Sequence, residues 1–187
     1  MNIVKTKLKD AFIFEPKVFG DHRGFFMETY NEKSLAEQGF SFNFIQDNHA
    51  LSKESGVLRG LHYQLDPYAQ TKLVRVTKGA VYDVIVDIRE GSPTYGQWEG
   101  FILSEDNKRQ LLVPRGFAHG YCTLAENTEF LYKVDNYYSP EHDRGIAWND
   151  LDLNIDWPTS HPILSDKDTK HPNLKDLETQ FIYKSKE

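Results

Sequence analysis

The sequence predicts an all-β protein built as a sandwich or barrel of short antiparallel strands. About eight or more short runs alternate apolar and polar residues, and turns containing Gly or Pro separate them at intervals of roughly eight to twelve residues. The one good helix candidate is residues 31–38, with Asn31 as the N-cap and Gly39 just after the end. We find no internal repeat or low-complexity linker, so we expect residues 1–187 to form one domain.

The composition is that of a folded, acidic protein rich in aromatic residues. Charged residues make up 27% and aromatic residues 13% of the chain, and the formal net charge at pH 7 is -6. Lys and Arg form no run, which argues against a nucleic-acid partner because phosphate recognition needs a basic surface. The single cysteine, Cys122, excludes an intrachain disulfide and a cysteine-based zinc site.

Targeting signals are not evident. No stretch approaches the roughly 20 apolar residues of a membrane helix. The first ten residues lack the apolar core of a signal peptide. We therefore expect a cytoplasmic protein with no membrane partner.

Residues 56–79 combine strand periodicity with side chains that can do chemistry. His62 and Gln64 share one face of a predicted strand, because side chains alternate across a strand with period 2. Lys72 points the same way as the valines of the next strand, residues 72–77. If that direction is the interior, the ammonium needs an anionic or polar partner, since an unpaired buried charge is costly or shifts its pKa. We therefore expect the chemistry of the protein to lie here.

Further strands are predicted along the rest of the chain, and the tail is expected to be irregular. The strands are residues 7–18, ending near Pro16, and residues 25–30, 81–88, 95–104 and 129–134. The last of these places Phe130, Tyr132 and Val134 on one face. After Tyr138 the alternation fades, although residues 181–183 could pair.

Two histidines lie in predicted strands, His62 in GLHYQ and His119 in PRGFAHGY. The second sequence resembles the second motif of the cupin jelly rolls. Metal-binding cupins carry H-x-H and a Glu in their first motif, whereas the matching positions here are His62 and Gln64, with no glutamate at the usual distance. Catalytic metal sites normally use three protein ligands, so two imidazoles would hold a divalent ion weakly. We expect no metal.

Seven motifs occur in order along the chain: GDHRGFF, QDNHA, GVLRGLHYQ, KLVRV, PRGFAHGY, EFLYK and LSDKD. Together they resemble the dTDP-4-dehydrorhamnose 3,5-epimerase family, over about residues 1 to 175. The resemblance implies an antiparallel jelly-roll (cupin-like) barrel with a few short helices, a homodimer, and no metal or other cofactor. The implied reaction, in dTDP-L-rhamnose biosynthesis, is epimerisation at C3 and C5 of dTDP-4-dehydro-6-deoxy-D-glucose to give dTDP-4-dehydro-L-rhamnose.

The resemblance also implies roles for individual residues. A ketone at C4 acidifies the hydrogens on C3 and C5, so a base can remove each proton and an acid on the opposite face can return one. His62 is implied to be the base, Asp168 the carboxylate that orients it, and Tyr132 the proton donor. Lys72 is implied to stabilise the enolate oxygen. Asp166 is assigned to the turn before Asp168.

The implied substrate-binding residues carry the donors, acceptors and ring that a nucleotide needs. They are Arg23, Glu28, Gln46, Asp47, Asn48, Arg59, His119, Tyr138, Asp143 and Lys167. Arginine suits a diphosphate through its planar fork of donors, and Tyr138 can stack on thymine. Taken singly, each has an ordinary structural explanation, such as a solvated turn for Arg23 or a satisfied core histidine for His119. Only the joint pattern favours binding.

Three alternatives stay open at this level. A mono-epimerase acting on a related dTDP-keto-sugar would carry the same pair of acid–base residues. A metal-dependent cupin enzyme would use His62 and His119. A sugar-nucleotide binding module would keep the basic pocket without catalysis.

Overall fold

A computed structural model describes residues 1–177 and 181–185 of the chain. The strands are β1 Asn2–Lys5, β2 Phe12–Glu15, β3 Val18–Asp21, β4 Gly24–Met27, β5 Gln46–Ser52, β6 Leu58–Gln64, β7 Lys72–Lys78, β8 Ala80–Asp87, β9 Trp98–Ser104, β10 Gln110–Val113, β11 Phe117–Thr123, β12 Thr128–Val134 and β13 Asp143–Gly145. Helix α1 spans Glu32–Ala36, and one 3₁₀ turn spans Leu174–Asp176.

Two antiparallel sheets make up the body of the molecule. The six-stranded sheet has the order β1-β2-β10-β7-β12-β5, the five-stranded sheet has the order β13-β6-β11-β8-β9, and β3 and β4 form a separate hairpin. This two-sheet antiparallel architecture confirms the predicted all-β jelly-roll class. No helix in the described ranges is long and apolar enough to cross a bilayer.

The main core lies between the two sheets and follows from strand alternation. Val74 and Val76 of β7 meet Ile85 of β8 and Phe130 of β12, and all four are 5% exposed or less. The other face of β8 is buried as well, because Val84 and its neighbours pack under the segment that follows β13. At about 25 cal/mol per Å² of apolar surface, burial on both faces makes β8 a major contributor to stability.

Helix α1 is shorter than residues 31–38 but begins as predicted. The Asn31 side chain accepts a hydrogen bond from the Ser34 amide at 3.0 Å, which satisfies one of the free N–H groups of the first turn. Gly39 follows the helix with φ of +86°, a conformation that favours glycine. Leu35, at 1% exposure, packs the helix onto the six-stranded sheet.

Several predicted boundaries are wrong in extent. Residues 7–18 hold only one four-residue strand before Pro16, because Lys7–Asp10 turns and Asp10 adopts φ of +71°. Strand β4 ends at Met27 rather than at residue 30. In the tail, the three-residue β13 was missed, whereas the pairing at residues 181–183 is confirmed by a bridge between Ile182 and Glu90.

Candidate active site

A cavity of about 450 Å³ opens between the two sheets. Its walls come from β5, β7 and β12 of one sheet, β6 and β11 of the other, and the C-terminal segment around Asp168. His62, Lys72, His119 and Tyr132 all line it. The prediction that these side chains share one cavity is confirmed, while their chemical roles stay predictions.

His62 and Asp168 form a hydrogen-bonded pair. His62 Nε2 lies 2.5 Å from Asp168 Oδ1, and the His62 side chain is 30% exposed whereas that of Asp168 is 4% exposed. Burial raises the pKa of the Asp168 carboxyl, but the hydrogen bond and charge of His62 and a hydrogen bond with Ser165 outweigh it and lower that pKa. The carboxylate stays ionised and fixes the ring. Among the described residues His62 Nδ1 has no hydrogen-bond partner within 3.5 Å. Asp166 lies in an exposed turn.

Lys72 points into the cavity from the start of β7, as its alternation with Val74 predicted. In the described part of the chain its ammonium has no salt-bridge partner within 4.0 Å. Burial lowers the pKa of Lys72 to about 8, against the opposing charges of Asp143 and Asp83. A lone cation in a partly buried site is suited to an oxygen that develops negative charge.

His119 is held by a buried carboxylate that we did not predict. His119 Nε2 lies 2.9 and 3.0 Å from the two oxygens of Asp83, which is 0% exposed. Burial raises the pKa of Asp83, and the charges of His119 and Lys72 only partly offset this effect. The sequence did contain a signal, because alternation places Asp83 on the same face of β8 as Val81 and Ile85.

Tyr132 stands on the wall opposite His62, since it belongs to β12 of the six-stranded sheet. Among the described residues its hydroxyl has no hydrogen-bond partner within 3.5 Å. Burial raises the pKa of Tyr132, and the nearby charge of Arg59 opposes the shift. The hydroxyl is therefore protonated at neutral pH and free to act on a molecule in the cavity.

Part of the cavity wall is aromatic and was not predicted. The rings of Tyr121 and Phe130 stack with centroids 4.1 Å apart and an interplanar angle of 18°. Burial raises the pKa of Tyr121 to about 12. This stack gives the cavity an apolar surface beside its charged groups.

Besides His119, four predicted binding residues lie at or beside the cavity. Arg59 and Lys167 line it. Lys167 forms an ion pair with Asp143, and Asp143 Oδ2 accepts a hydrogen bond of 3.1 Å from the Tyr138 hydroxyl. Tyr138 is 60% exposed, so its ring is available for stacking.

The three predicted residues of β5 divide between the two faces of its sheet. Asn48 is the register partner of Tyr132 on β12, and cross-strand partners project to the same side. The Gln46 side chain donates a hydrogen bond of 2.8 Å to Asn48 Oδ1. Asp47 projects to the other side and pairs with Lys133 at 2.8 Å.

Arg23 and Glu28 do not line the cavity of their own chain. Arg23 sits on the β3–β4 hairpin, its side chain is 79% exposed, and it pairs with Asp21 at 2.6 Å. Glu28 accepts a hydrogen bond from Asn31 next to helix α1.

His171 is a further titratable group beside the His62–Asp168 pair, and no sequence signal indicated it. Ligand-type atoms of these three residues lie within 4.8 Å of one another. The 2.5 Å contact is hydrogen-bond spacing, whereas two ligands that each lie ~2.0–2.2 Å from one ion are usually ~3 Å apart. The arrangement fits a hydrogen-bonded cluster better than a metal site.

A jelly roll whose cavity holds a histidine–carboxylate pair, a cation and an opposed tyrosine defines an enzyme of the acid–base type. The chain matches the sequence model of the dTDP-4-dehydrorhamnose 3,5-epimerase family over residues 5–176. It belongs to that family, as the seven motifs predicted.

Relatives match the chain over almost its full length. The dTDP-4-dehydrorhamnose 3,5-epimerase of Shigella flexneri is 56% identical over 179 residues, which cover 95% of this chain and 98% of the relative. The Bacillus anthracis enzyme, solved with TDP and PPi bound, is 56% identical with a TM-score of 0.90, covering 92% of this chain and 98% of its own. The Legionella pneumophila enzyme, solved with dTDP-4-keto-L-rhamnose, is 46% identical with a TM-score of 0.93, covering 98% and 99%.

The lowered pKa of Lys72 predicts a basic limb in the activity profile. The charged form is present below about pH 8 and is lost above it, so kcat/KM of the free enzyme should fall as pH rises through about 8. Lys72→Met should lose roughly 10²–10³-fold in kcat, and Lys72→Arg should keep part of the rate without that limb. Steady-state rates from pH 6 to pH 10 check this. If Lys72→Arg keeps the same basic limb, that limb comes from another titrating group.

Proposed function

We propose that this chain is an isomerase that epimerises C3 and C5 of dTDP-4-dehydro-6-deoxy-D-glucose to give dTDP-4-dehydro-L-rhamnose. The observation that carries the proposal is that His62, which is paired with Asp168, and Tyr132 face one cavity from opposite sheets. The names of the relatives and the dTDP-4-keto-L-rhamnose in the Legionella structure support the substrate. We take residues 1–187 as one catalytic domain.

The chemistry uses groups already in place. His62 Nδ1 removes the proton next to the C4 ketone, and Asp168 stabilises the imidazolium that forms. The electron pair moves onto the ketone oxygen, where the Lys72 ammonium stabilises the enolate by about 3–4 kcal/mol. Tyr132 then gives its hydroxyl proton to the carbon from the opposite face, which inverts the centre. The His62 imidazolium loses its proton to water and the Tyr132 phenolate regains one from water, so the same steps at the second carbon can complete the reaction.

The nucleotide end of the substrate is assigned to the polar residues around the cavity. Arg59 and Lys167 offer positive charge to the diphosphate, and the exposed ring of Tyr138 offers a stacking surface for thymine. Gln46 and Asn48 project on the Tyr132 side of β5 and can read the base or ribose. Asp47, His119 and Asp143 are also assigned to substrate binding, and within the chain they pair with Lys133, Asp83 and Lys167.

Homodimer formation would give a place to the two predicted binding residues that lie away from the cavity, Arg23 and Glu28. The β3–β4 hairpin exposes Phe19, Phe25 and Phe26 by 53%, 59% and 67%, an apolar surface that a second copy could cover. Arg23 sits on the same hairpin and Glu28 just after it, both away from their own cavity. We infer that the hairpin docks on a partner and that Arg23 serves the partner's site. A cytoplasmic location stays a prediction.

Deuterium incorporation tests the reaction. In deuterated water the wild-type product should carry deuterium at both C3 and C5 with inverted configuration, measured by NMR. His62→Asn should lower exchange at both carbons by ~10²–10⁴-fold and keep dTDP affinity, because the nucleotide is bound elsewhere. Inversion at one carbon would indicate a mono-epimerase, no exchange a binding module, and loss of exchange on chelation a metal-dependent cupin enzyme.

Tyr132→Phe separates proton removal from inversion. The variant removes one hydroxyl and keeps the ring packed beside Phe130, so the fold should survive. We expect exchange to continue with retained configuration while inversion slows by about 100-fold or more. Product configuration in deuterated water is the measurement. Inversion at the wild-type rate would show that water or another group is the donor.

Sedimentation equilibrium tests the dimer. The wild-type chain should sediment as a dimer, and Phe26→Asp should sediment as a monomer with reduced turnover, because a charge replaces a side chain that is 67% exposed in one chain. Leu151→Asp is the matched control, since Leu151 is 90% exposed in a turn far along the chain. A monomeric wild-type chain with full activity would contradict the proposal.

A further inference from the structure

His171 occupies a niche that the backbone leaves open beside the base. Gly145 of β13 is the register partner of His62 on β6. A Cβ atom at Gly145 would lie 2.5 to 2.6 Å from three atoms of the His171 ring, closer than real Cβ contacts. The absence of a side chain at Gly145 is therefore what lets the His171 ring lie against the strand that carries His62.

The His171 ring contacts both members of the pair. Its plane meets the His62 ring edge-on at 74°, with centroids 5.5 Å apart. Its Nε2 lies 3.5 Å from Asp168 Oδ1, the same oxygen that contacts His62. In the described part of the chain this buried nitrogen makes no hydrogen bond, and the His171 side chain is only 10% exposed. A buried N–H without a partner is costly. The Asp168 carboxylate, 3.5 Å away, is the acceptor that lies beside it.

We propose that His171 is a positioning residue of the His62–Asp168 pair, an inference that rests on the proposed epimerase function. It holds the Asp168 carboxylate from the side, so that the carboxylate cannot rotate when His62 takes a proton from the sugar. Its ring edge also limits rotation of the His62 ring. His171 contacts two residues that line the cavity but does not line it itself, so it is not the base.

The electrostatics of the cluster support a neutral His171. Burial and the positive charges of His62 and Lys167 lower its pKa, and the opposing charge of Asp168 does not make up the difference. The facing groups are His62 on β6 and Lys167 and Asp168 in the C-terminal segment, while β13 contributes the uncharged Gly145. A neutral ring with its hydrogen on Nε2 can donate to Asp168 without adding a second positive charge beside the imidazolium.

Two substitutions at His171 separate positioning from packing. His171→Leu keeps an apolar body and removes the donor, whereas His171→Gln keeps an N–H near the position of Nε2. We expect His171→Leu to lower kcat by roughly 10- to 100-fold with KM and dTDP affinity unchanged, because a small misplacement of a catalytic group costs that much. His171→Gln should restore most of kcat. Gly145→Ala, which displaces the ring, should behave like His171→Leu.

The pH profile gives a readout that packing alone would not move. Without the His171 donor, Asp168 becomes more basic and holds the protonated form of His62 more tightly, so the acidic limb of kcat should move to higher pH in His171→Leu. His161→Leu is the control for loss of an exposed imidazole and should leave rate and profile unchanged. Melting temperatures identify any variant that fails to fold, and Gly145→Ala then provides the same comparison with the imidazole retained.

The outcomes are distinct from those that test the reaction itself. If the wild-type protein shows no exchange at C3 or C5, the proposed function fails before His171 is considered. If the wild-type protein epimerises normally, full kcat in His171→Leu overturns the positioning role. An equal loss in the Leu and Gln variants with an unmoved acidic limb also overturns it, because His171 then contributes only to packing.

Discussion

The site depends on one hydrogen bond, from His62 on β6 to Asp168 in the C-terminal segment, 106 residues apart in sequence. Asp168 is 3% exposed, and a buried carboxylate without its partner costs on the order of 3–5 kcal/mol. Backbone contacts fix the segment that carries Asp168 along the start of β6. The Leu58 amide donates a hydrogen bond of 3.0 Å to the Ile163 carbonyl, and Val57 and Ile163 form a β-bridge. The contact that orients the proposed base also determines where the tail lies.

The rest of the cavity places charges on strands whose other inward residues are apolar. Lys72 shares a face of β7 with Val74, and Asp83 shares a face of β8 with Ile85. These charges are tolerated because Asp83 is paired with His119 and Lys72 faces an open cavity. The core between the sheets supplies rigidity. Lys72 and Asp83 lie on the same strands as core residues, so the core also fixes the positions of these charged side chains.

Local periodicity predicted the strands and the direction of Lys72, since period 2 alone fixes which face a side chain takes. It could not give Tyr132 a function, because an aromatic residue between Phe130 and Val134 has the pattern of ordinary core; the motif resemblance supplied that role. The placement of Asp168 and His171 depends on the path of an irregular tail, which periodicity does not encode. Boundaries failed where backbone conformation ended a strand, as with the positive φ of Asp10.

The two-sheet architecture would let the proposed base and the proposed acid act on opposite faces of one sugar. Packed sheets lie about 10 Å apart, and inward side chains approach from both sides. His62 comes from the five-stranded sheet and Tyr132 from the six-stranded sheet, so a ring held between them meets one group on each face. Inversion requires a group on each face of the sugar ring, whereas hydrogen exchange requires only a base on one face. The separation of the two proposed roles onto two sheets is thus a property of the fold.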